Sequence, residues 1–293
     1  MMSLRPRRSA LYMPGSNARA LEKAKQLPAD VLILDLEDSV APEAKPAARV
    51  QVTDAVKAGG FGRRELVIRV NGLDTAWGPD DLAAAAAAAP DAVLLPKVSD
   101  IAAVERASDA LRRAGAPDKT RLWAMMETPI GVINAGEIAA AGGHAGSRLS
   151  CLVMGLNDLF KETRAEVTAD RAAALYWLSA CLTAARAHGL EILDGVYNNF
   201  RDAEGYRREC LQGRMLGFDG KTLIHPDQIA VANEVFSPSE AEVAAARKIV
   251  AAFELPENRG KGVINLDGRM VELLHAEMAK RTVAIADAIA AMR

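Results

Sequence analysis

Short apolar runs, each closed by charged residues or by Gly and Pro, recur along the chain at positions 10–13, 31–34, 66–70, 92–95, 122–126, 151–154, 191–193 and 221–224. Runs of this length with such punctuation read as strands buried on both faces. The intervening segments 18–27, 42–57, 79–89, 101–114, 131–141, 170–189 and 203–216 carry helical patterning. Strand and helix therefore alternate, and a strand that returns parallel to its predecessor needs such a crossover. Eight units in about 225 residues match the size of a (β/α)8 TIM barrel, whereas an open doubly wound sheet normally carries a glycine-rich phosphate fingerprint after its first strand. Neither GxGxxG nor GxxxxGKS/T occurs. The pattern predicts an α/β fold, with a (β/α)8 barrel over residues 1–236 and a C-terminal helical extension over 237–293. The extension opens on SPSEAE, where Ser237 caps, Pro238 takes the first helical position and Glu240 the third, for a helix to about residue 253. LPENRGKGVINLDGRM, rich in Gly and charge, reads as a mobile lid loop before a last helix over 270–292.

Charge is nearly absent from the runs but gathers just beyond them: Asp35, Glu37 and Asp38; Arg69 and Asn71; Lys97; Glu127; Asn157 and Asp158; Asp194; His225. In a barrel these strand ends converge on one face, where such enzymes keep their chemistry. A hard cation such as Mg2+, or Mn2+ as its substitute, takes one or two carboxylates and fills its octahedron with water and substrate oxygens. Glu127 and Asp158 supply that number; pairing with Lys97 or capping the next helix is the competing reading of each. A transition-metal site is not expected, since only four histidines are present and no HxxxH, HxH or Cys/His cluster occurs. In DLED (35–38), Glu37 and Asp38 either hold metal-bound water, orient Arg69 or Lys97, or cap a helix in solvent. Arg69 at the end of its strand suits clamping a carboxylate or a developing enolate oxygen, and a salt bridge to DLED is compatible with that. Arg8 precedes the first strand, and YMPGSN (12–17) follows it, opening a helix whose free amides suit a phosphate.

Half of the 293 residues are hydrophobic, enough for one large core. The 36 basic and 38 acidic residues leave a formal charge of −2, so no broad field recruits nucleic acid or an anionic membrane, and small molecules are the expected partners. The scattered Cys151, Cys181 and Cys210 are expected to be reduced and buried, in a cytoplasmic setting. No apolar run approaches the ~20 residues of a membrane span, and the N-terminal one is too short for a signal peptide.

Taken together, RSALYMPGSN, LILDLEDSV, VIRVNG, LLPKV, ETPIGVINAGEIA, LVMGLNDL, LGFDGKTLIHPDQI and LDGRM, in that order, resemble the citrate lyase β-subunit-like enzymes of the HpcH/HpaI aldolase superfamily, which includes malyl-CoA, citramalyl-CoA and citryl-CoA lyases. The resemblance covers nearly the whole chain. It implies a Mg2+-dependent carbon–carbon lyase that cleaves a 3-hydroxyacyl-CoA to a 2-keto acid and an acyl-CoA. Glu127 and Asp158 then hold the metal, Arg69, Asp267, Glu37 and Asp38 serve catalysis, and Arg8, Tyr12, Pro14, Arg69 and Lys97 meet substrate or CoA. It further implies a homotrimer or hexamer in which a neighbour's tail completes the site, with Asp267 delivered in trans as an acid–base; a turn-forming Asp-Gly pair is the other reading of that residue. Two alternatives share the scaffold: a (3S)-malyl-CoA thioesterase, which GVYNNFRD and GYRREC (195–210) also resemble, and a citrate lyase β subunit acting on a carrier-bound thioester.

Overall fold

The computed structural model describes residues 5–292. The apolar runs become strands β1 Ser9–Pro14, β2 Val31–Asp35, β3 Glu65–Arg69, β4 Ala92–Leu95, β5 Arg121–Met126, β6 Leu149–Met154, β7 Glu191–Asp194 and β8 Gly220–Leu223. They pair in parallel, in chain order, and β8 closes on β1. The chain is an α/β protein with a (β/α)8 barrel. Helices α1 Ala18–Ala24, α2 Lys45–Ala58, α3 Gly78–Ala88, α4 Ile101–Arg113, α5 Pro129–Ile133, α6 Ala135–Ala140, α7 Leu156–Thr163, α8 Leu175–Ala187 and α9 Ala203–Leu216 fall between or after the strands.

Alternation along the strands decides what enters the barrel. Ala10, Val31, Ile33, Val67, Ala92, Leu94, Trp123, Met125, Cys151, Val153 and Leu193 form one buried cluster, with Tyr12 packed against it. Continuing each row by two residues keeps the same face and brings Asp35, Arg69, Glu127 and Gly155 to the C-terminal rim. Asp194 is one residue out of phase with Leu193, so it leaves the barrel. Its carboxylate is fully buried against Arg171 at 2.8 Å and Lys221 at 3.0 Å, and Lys221 also meets Glu209 of α9 at 2.6 Å. The sequence expectation that Asp194 shares the mouth with the other acids is thereby corrected.

Three further segments depart from the pattern. The helix expected over 131–141 is broken at Asn134, whose Nδ2 donates to Ser99 O at 2.9 Å. The helix expected from residue 170 begins only at Leu175, because Arg171 takes a left-handed φ of 54° to reach Asp194. Helix α7, which carries Asp158, was not expected at all.

Residues 7–233 form one compact unit, and the chain from Glu234 onward another. Helix α10, Ile229–Val235, crosses the boundary. In the second unit α11, Glu240–Glu254, packs on α12, Leu273–Met292. The cap of α11 is Ser239 with Glu242, two residues later than the sequence placed it. The segment expected to be a loop contains an antiparallel hairpin, β9 Val263–Leu266 and β10 Arg269–Glu272. Its two-residue turn is Asp267-Gly268 with φ of 52° and 76°, the left-handed pair that a tight hairpin needs. Among the described residues no helix is long and apolar enough to cross a membrane.

Candidate active site

At the barrel mouth the DLED loop is divided among three tasks. Asp35, 1% exposed, takes Arg69 in a two-pronged pair, Nε to Oδ1 at 2.6 Å and Nη2 to Oδ2 at 2.7 Å. It also accepts the amides of Glu37 and Ser39 at 2.9 and 3.1 Å. Burial pushes the Asp35 carboxyl up, but the charge and hydrogen bonds of Arg69 outweigh it and hold it below the usual range. Glu37 lies between two cations, with Arg69 Nη1 at 2.8 Å and Lys97 Nζ at 2.6 Å. The approach of Arg69 to Glu37 Oε2 lacks the alignment of a hydrogen bond, so this buried oxygen has no donor among the described residues. Asp38 is 60% exposed at the rim, 3.5 Å from Arg69. The guanidinium of Arg69 stacks on the Tyr12 ring at 4.8 Å and meets Met125 Sδ at 3.7 Å.

Across the mouth the charges are not matched. Glu127, 1% exposed beyond the end of β5, accepts the backbone N–H of Lys97 at 2.7 Å and has no ion pair among the described residues. Lys97 adopts a left-handed φ of 52° to present that amide while its side chain turns to Glu37. The competing reading, a Lys97–Glu127 pairing, is therefore met by the backbone alone. Burial, with the Glu37 charge next, pushes the Glu127 carboxyl up to about 8. Gly155 makes room for it: a Cβ there would lie 2.3 Å from Glu127 Cβ and 2.6 Å from Oε2. Asp158 follows in the first turn of α7, half-buried and without a partner among the described residues.

Tyr12, Asp35, Asp38, Arg69, Glu127 and Asp158 line one cavity of about 300 Å3. No group of three or more His, Cys, Asp or Glu suited to a metal occurs among the described residues. The two undercompensated carboxylates still fit an ion that draws its remaining ligands from water and substrate, and the raised Glu127 carboxyl marks the place where positive charge is lacking.

Of the other sequence candidates, Pro14 ends β1 at the rim. Arg8 is the correction: it precedes β1 at the opposite end of the strands, about 20 Å along the strand from Pro14 at the usual rise per residue, and pairs with Asp30 at 2.7 Å. The short α1 carries its own cap, Asn17, whose side chain accepts from the Ala20 amide. Asp267, in the second unit, is 65% exposed and pairs with Lys248. In the sequence Gly155 reads only as the turn after an apolar run, although a glycine directly after an apolar strand also marks a close approach. Lys45, buried at the start of α2, carries no such signal.

A model of the HpcH/HpaI aldolase/citrate lyase family matches residues 8–226. The chain belongs to that family. Within the family it is 52% identical to a (3S)-malyl-CoA thioesterase of Cereibacter sphaeroides, over 98% of this chain and 96% of the relative. Its identity to an L-malyl-CoA/beta-methylmalyl-CoA lyase of the same species is 35%, again over 98% of this chain and 96% of the relative. The solved structure of protein CitE from Mycobacterium tuberculosis in complex with magnesium, acetoacetate and coenzyme A superposes with a TM-score of 0.74 at 32% identity, covering 97% of this chain and 99% of the other.

Proposed function

We propose that this family member is a Mg2+-dependent enzyme of acyl-CoA substrates whose main reaction is hydrolysis of (3S)-malyl-CoA to malate and CoA. One observation carries the choice within the family: 52% identity to a thioesterase against 35% to a lyase, over equal shares of the chain. Glu127 and Asp158 hold the ion, and Mg2+ when bound supplies Lewis acidity to substrate oxygens. Arg69, locked in place by Asp35 and Glu37, faces the thioester oxygen, which gains negative charge as water adds to the carbonyl carbon. Asp267, on a neighbouring subunit of a trimer or hexamer, takes a proton from that water. The C–S bond then breaks, the hydroxyl stays on carbon and the proton goes to the departing sulfur, so malyl-CoA and water give malate and CoA. Tyr12, Pro14 and Lys97 shape the wall that receives the substrate, and Asp38 stands at its entrance. Three free buried cysteines support a reducing, cytoplasmic setting.

Carbon–carbon cleavage is the second reading, supported by the likeness to the lyase. There Arg69 faces an enolate oxygen instead, and the products are glyoxylate and acetyl-CoA. Incubating the pure chain with Mg2+ and (3S)-malyl-CoA, with free CoA, glyoxylate and acetyl-CoA measured separately, tests the proposal. CoA and malate in equal amounts without glyoxylate are expected. Glyoxylate and acetyl-CoA in equal amounts would put the lyase first, and turnover only of a carrier-bound thioester would set both aside.

A further inference from the structure

Lys45 begins α2 and is 6% exposed. A helix N-terminus presents partial positive charge, so a cation is disfavoured there, and removal from water adds to the cost. No direct ion pair is made among the described residues, and all three protons go to neutral oxygens; the more distant charges of Asp35, Glu37, Asp81 and Asp38 and the Trp77 ring, 5.3 Å away, offset the cost only in part. Nζ donates to Leu36 O at 3.0 Å, to Glu37 O at 2.6 Å and to Asn71 Oδ1 at 2.8 Å. Burial accordingly holds this ammonium below the usual lysine range. The Asn71 amide is oriented in turn, donating to Leu36 O at 2.8 Å and to Asp81 Oδ2 at 2.6 Å, while Asp81 Oδ1 accepts from Arg49 at 2.6 Å. The chain Arg49–Asp81–Asn71–Lys45 thus runs from helices α2 and α3 to the two carbonyls flanking the Glu37 Cα. Those peptide planes set the direction in which the Glu37 side chain leaves the loop.

The geometry points to Lys45 as a positioning residue of the active site: by gripping the peptides on both sides of Glu37, it fixes that carboxylate between Arg69 and Lys97 and so sets the guanidinium that faces the reacting oxygen. Lys45 itself does not line the cavity. The kinetic consequence rests on the proposed reaction, and the structural one does not.

Lys45→Met keeps the length of the stem and removes the donors. The variant should unfold cooperatively and keep its Mg2+ affinity within about twofold, since Glu127 and Asp158 lie beyond strands that Lys45 does not touch. Its kcat for thioester hydrolysis should fall about tenfold to a hundredfold, the scale of a small misplacement of a reacting group, with KM changing far less. Deuterium exchange at the amides of Glu37, Ser39 and Val40 should speed up about tenfold, with the Lys97 amide unchanged. Asn71→Ser, which loosens the same grip indirectly, should give the same pattern at smaller amplitude and decides the matter if Lys45→Met does not fold. A folded variant with parental kcat, or one that loses Mg2+ affinity together with kcat, overturns the inference. If the parent chain hydrolyses no malyl-CoA, the functional reading fails, and exchange then decides alone: unchanged rates at residues 37–40 overturn the positioning role.

Discussion

On the β2–β4 side of the barrel mouth the inward carboxylates have cations in reach: Asp35 and Glu37 hold Arg69, and Glu37 also holds Lys97. On the β5–β6 side Glu127 has one backbone amide, and Asp158 has no partner among the described residues. Asp35, Arg69 and Glu127 reach the mouth by the same device, a polar residue two positions beyond an inward apolar one, so strand phase alone does not explain why Asp35 is paired and Glu127 is not. Charge balance does. The first half is complete as it folds, and its ion pairs fix a guanidinium whose removal would strand a buried carboxylate at a cost of about 3–5 kcal/mol. The second half lacks such cations, and the proposed Mg2+ site would supply one from outside. The Asp194–Lys221–Arg171–Glu209 network outside the barrel, buried except at Glu209, belongs with the first kind, which is why an acid at a strand end is not by itself a sign of chemistry.

Removing the incomplete half should have the largest effect. On the proposed site, Glu127→Gln or Asp158→Asn takes away one of two anionic ligands, and calorimetry should then show Mg2+ affinity falling by more than about a hundredfold, beyond what loss of an outer-shell partner costs. Turnover should drop on the order of a thousandfold, because several kcal/mol of charge stabilisation go with the ion. If both residues serve the same ion, the double variant should be little worse than either single one. Unchanged Mg2+ affinity in Asp158→Asn would remove Asp158 from the site.

Altering the complete half should spare the metal and damage the chemistry. Arg69→Lys retains a charge but loses the planar fork that meets Asp35 while leaving a face for substrate. Its kcat should fall about a hundredfold, with Mg2+ affinity near the parent's. Near-parental turnover would make Arg69 structural. Paired with Asp267→Asn, this variant also tests the tail. In an oligomer where each tail serves a neighbour, random co-assembly leaves about a quarter of sites with an intact barrel and an intact tail, so the mixture regains activity that neither chain has alone. Verified mixed oligomers without recovery would confine Asp267 to its own subunit or to the hairpin turn.

How far the molecule was legible in the sequence follows the same division. The strands were readable because two-sided burial makes them apolar throughout, and the residues just past them marked the rim. That same uniformity hides phase: in EILD nothing shows whether Leu193 or Asp194 faces inward, and the structure turns Asp194 out. Pairing was equally hidden, so DLED read as three equivalent acids although Asp35 locks Arg69, Glu37 bridges two cations and Asp38 stands in solvent. Helix α7 was masked because its short apolar face, Leu156 and Leu159, resembles a loop between stronger patterns. The Asp-Gly turn of the hairpin was a readable signal that the surrounding Gly and charge obscured, and Ser237 drew attention from Ser239 because a proline follows it. Lys45 was invisible in principle, since only the fold brings the carbonyls of Leu36 and Glu37 to its ammonium.

The smallest effect is a pH dependence confined to the incomplete half. Glu127 is raised from its ordinary 4.5 to about 8, chiefly by burial, with no metal present. Between those values the metal-free folded chain holds a proton that the unfolded chain has released. Its contribution to stability is therefore fully present below the unfolded pKa and is lost as pH rises through about 8. Mg2+ requires the carboxylate and must displace that proton, so its apparent affinity should rise by up to about tenfold per pH unit below 8 and level off above it. The two trends have opposite signs: from pH 6 to 8.5 the metal-free Tm contribution of this group declines while the Tm gain from saturating Mg2+ grows. Thermal melts with and without Mg2+ across that range, with titration calorimetry at each pH, would measure both. Glu127→Gln cannot ionise and should flatten both. A Mg2+ affinity in the parent chain that stays constant from pH 6 to 8.5 would mean that the ion does not bind through Glu127, and the contrast between the two halves of the mouth would then lose its chemical meaning.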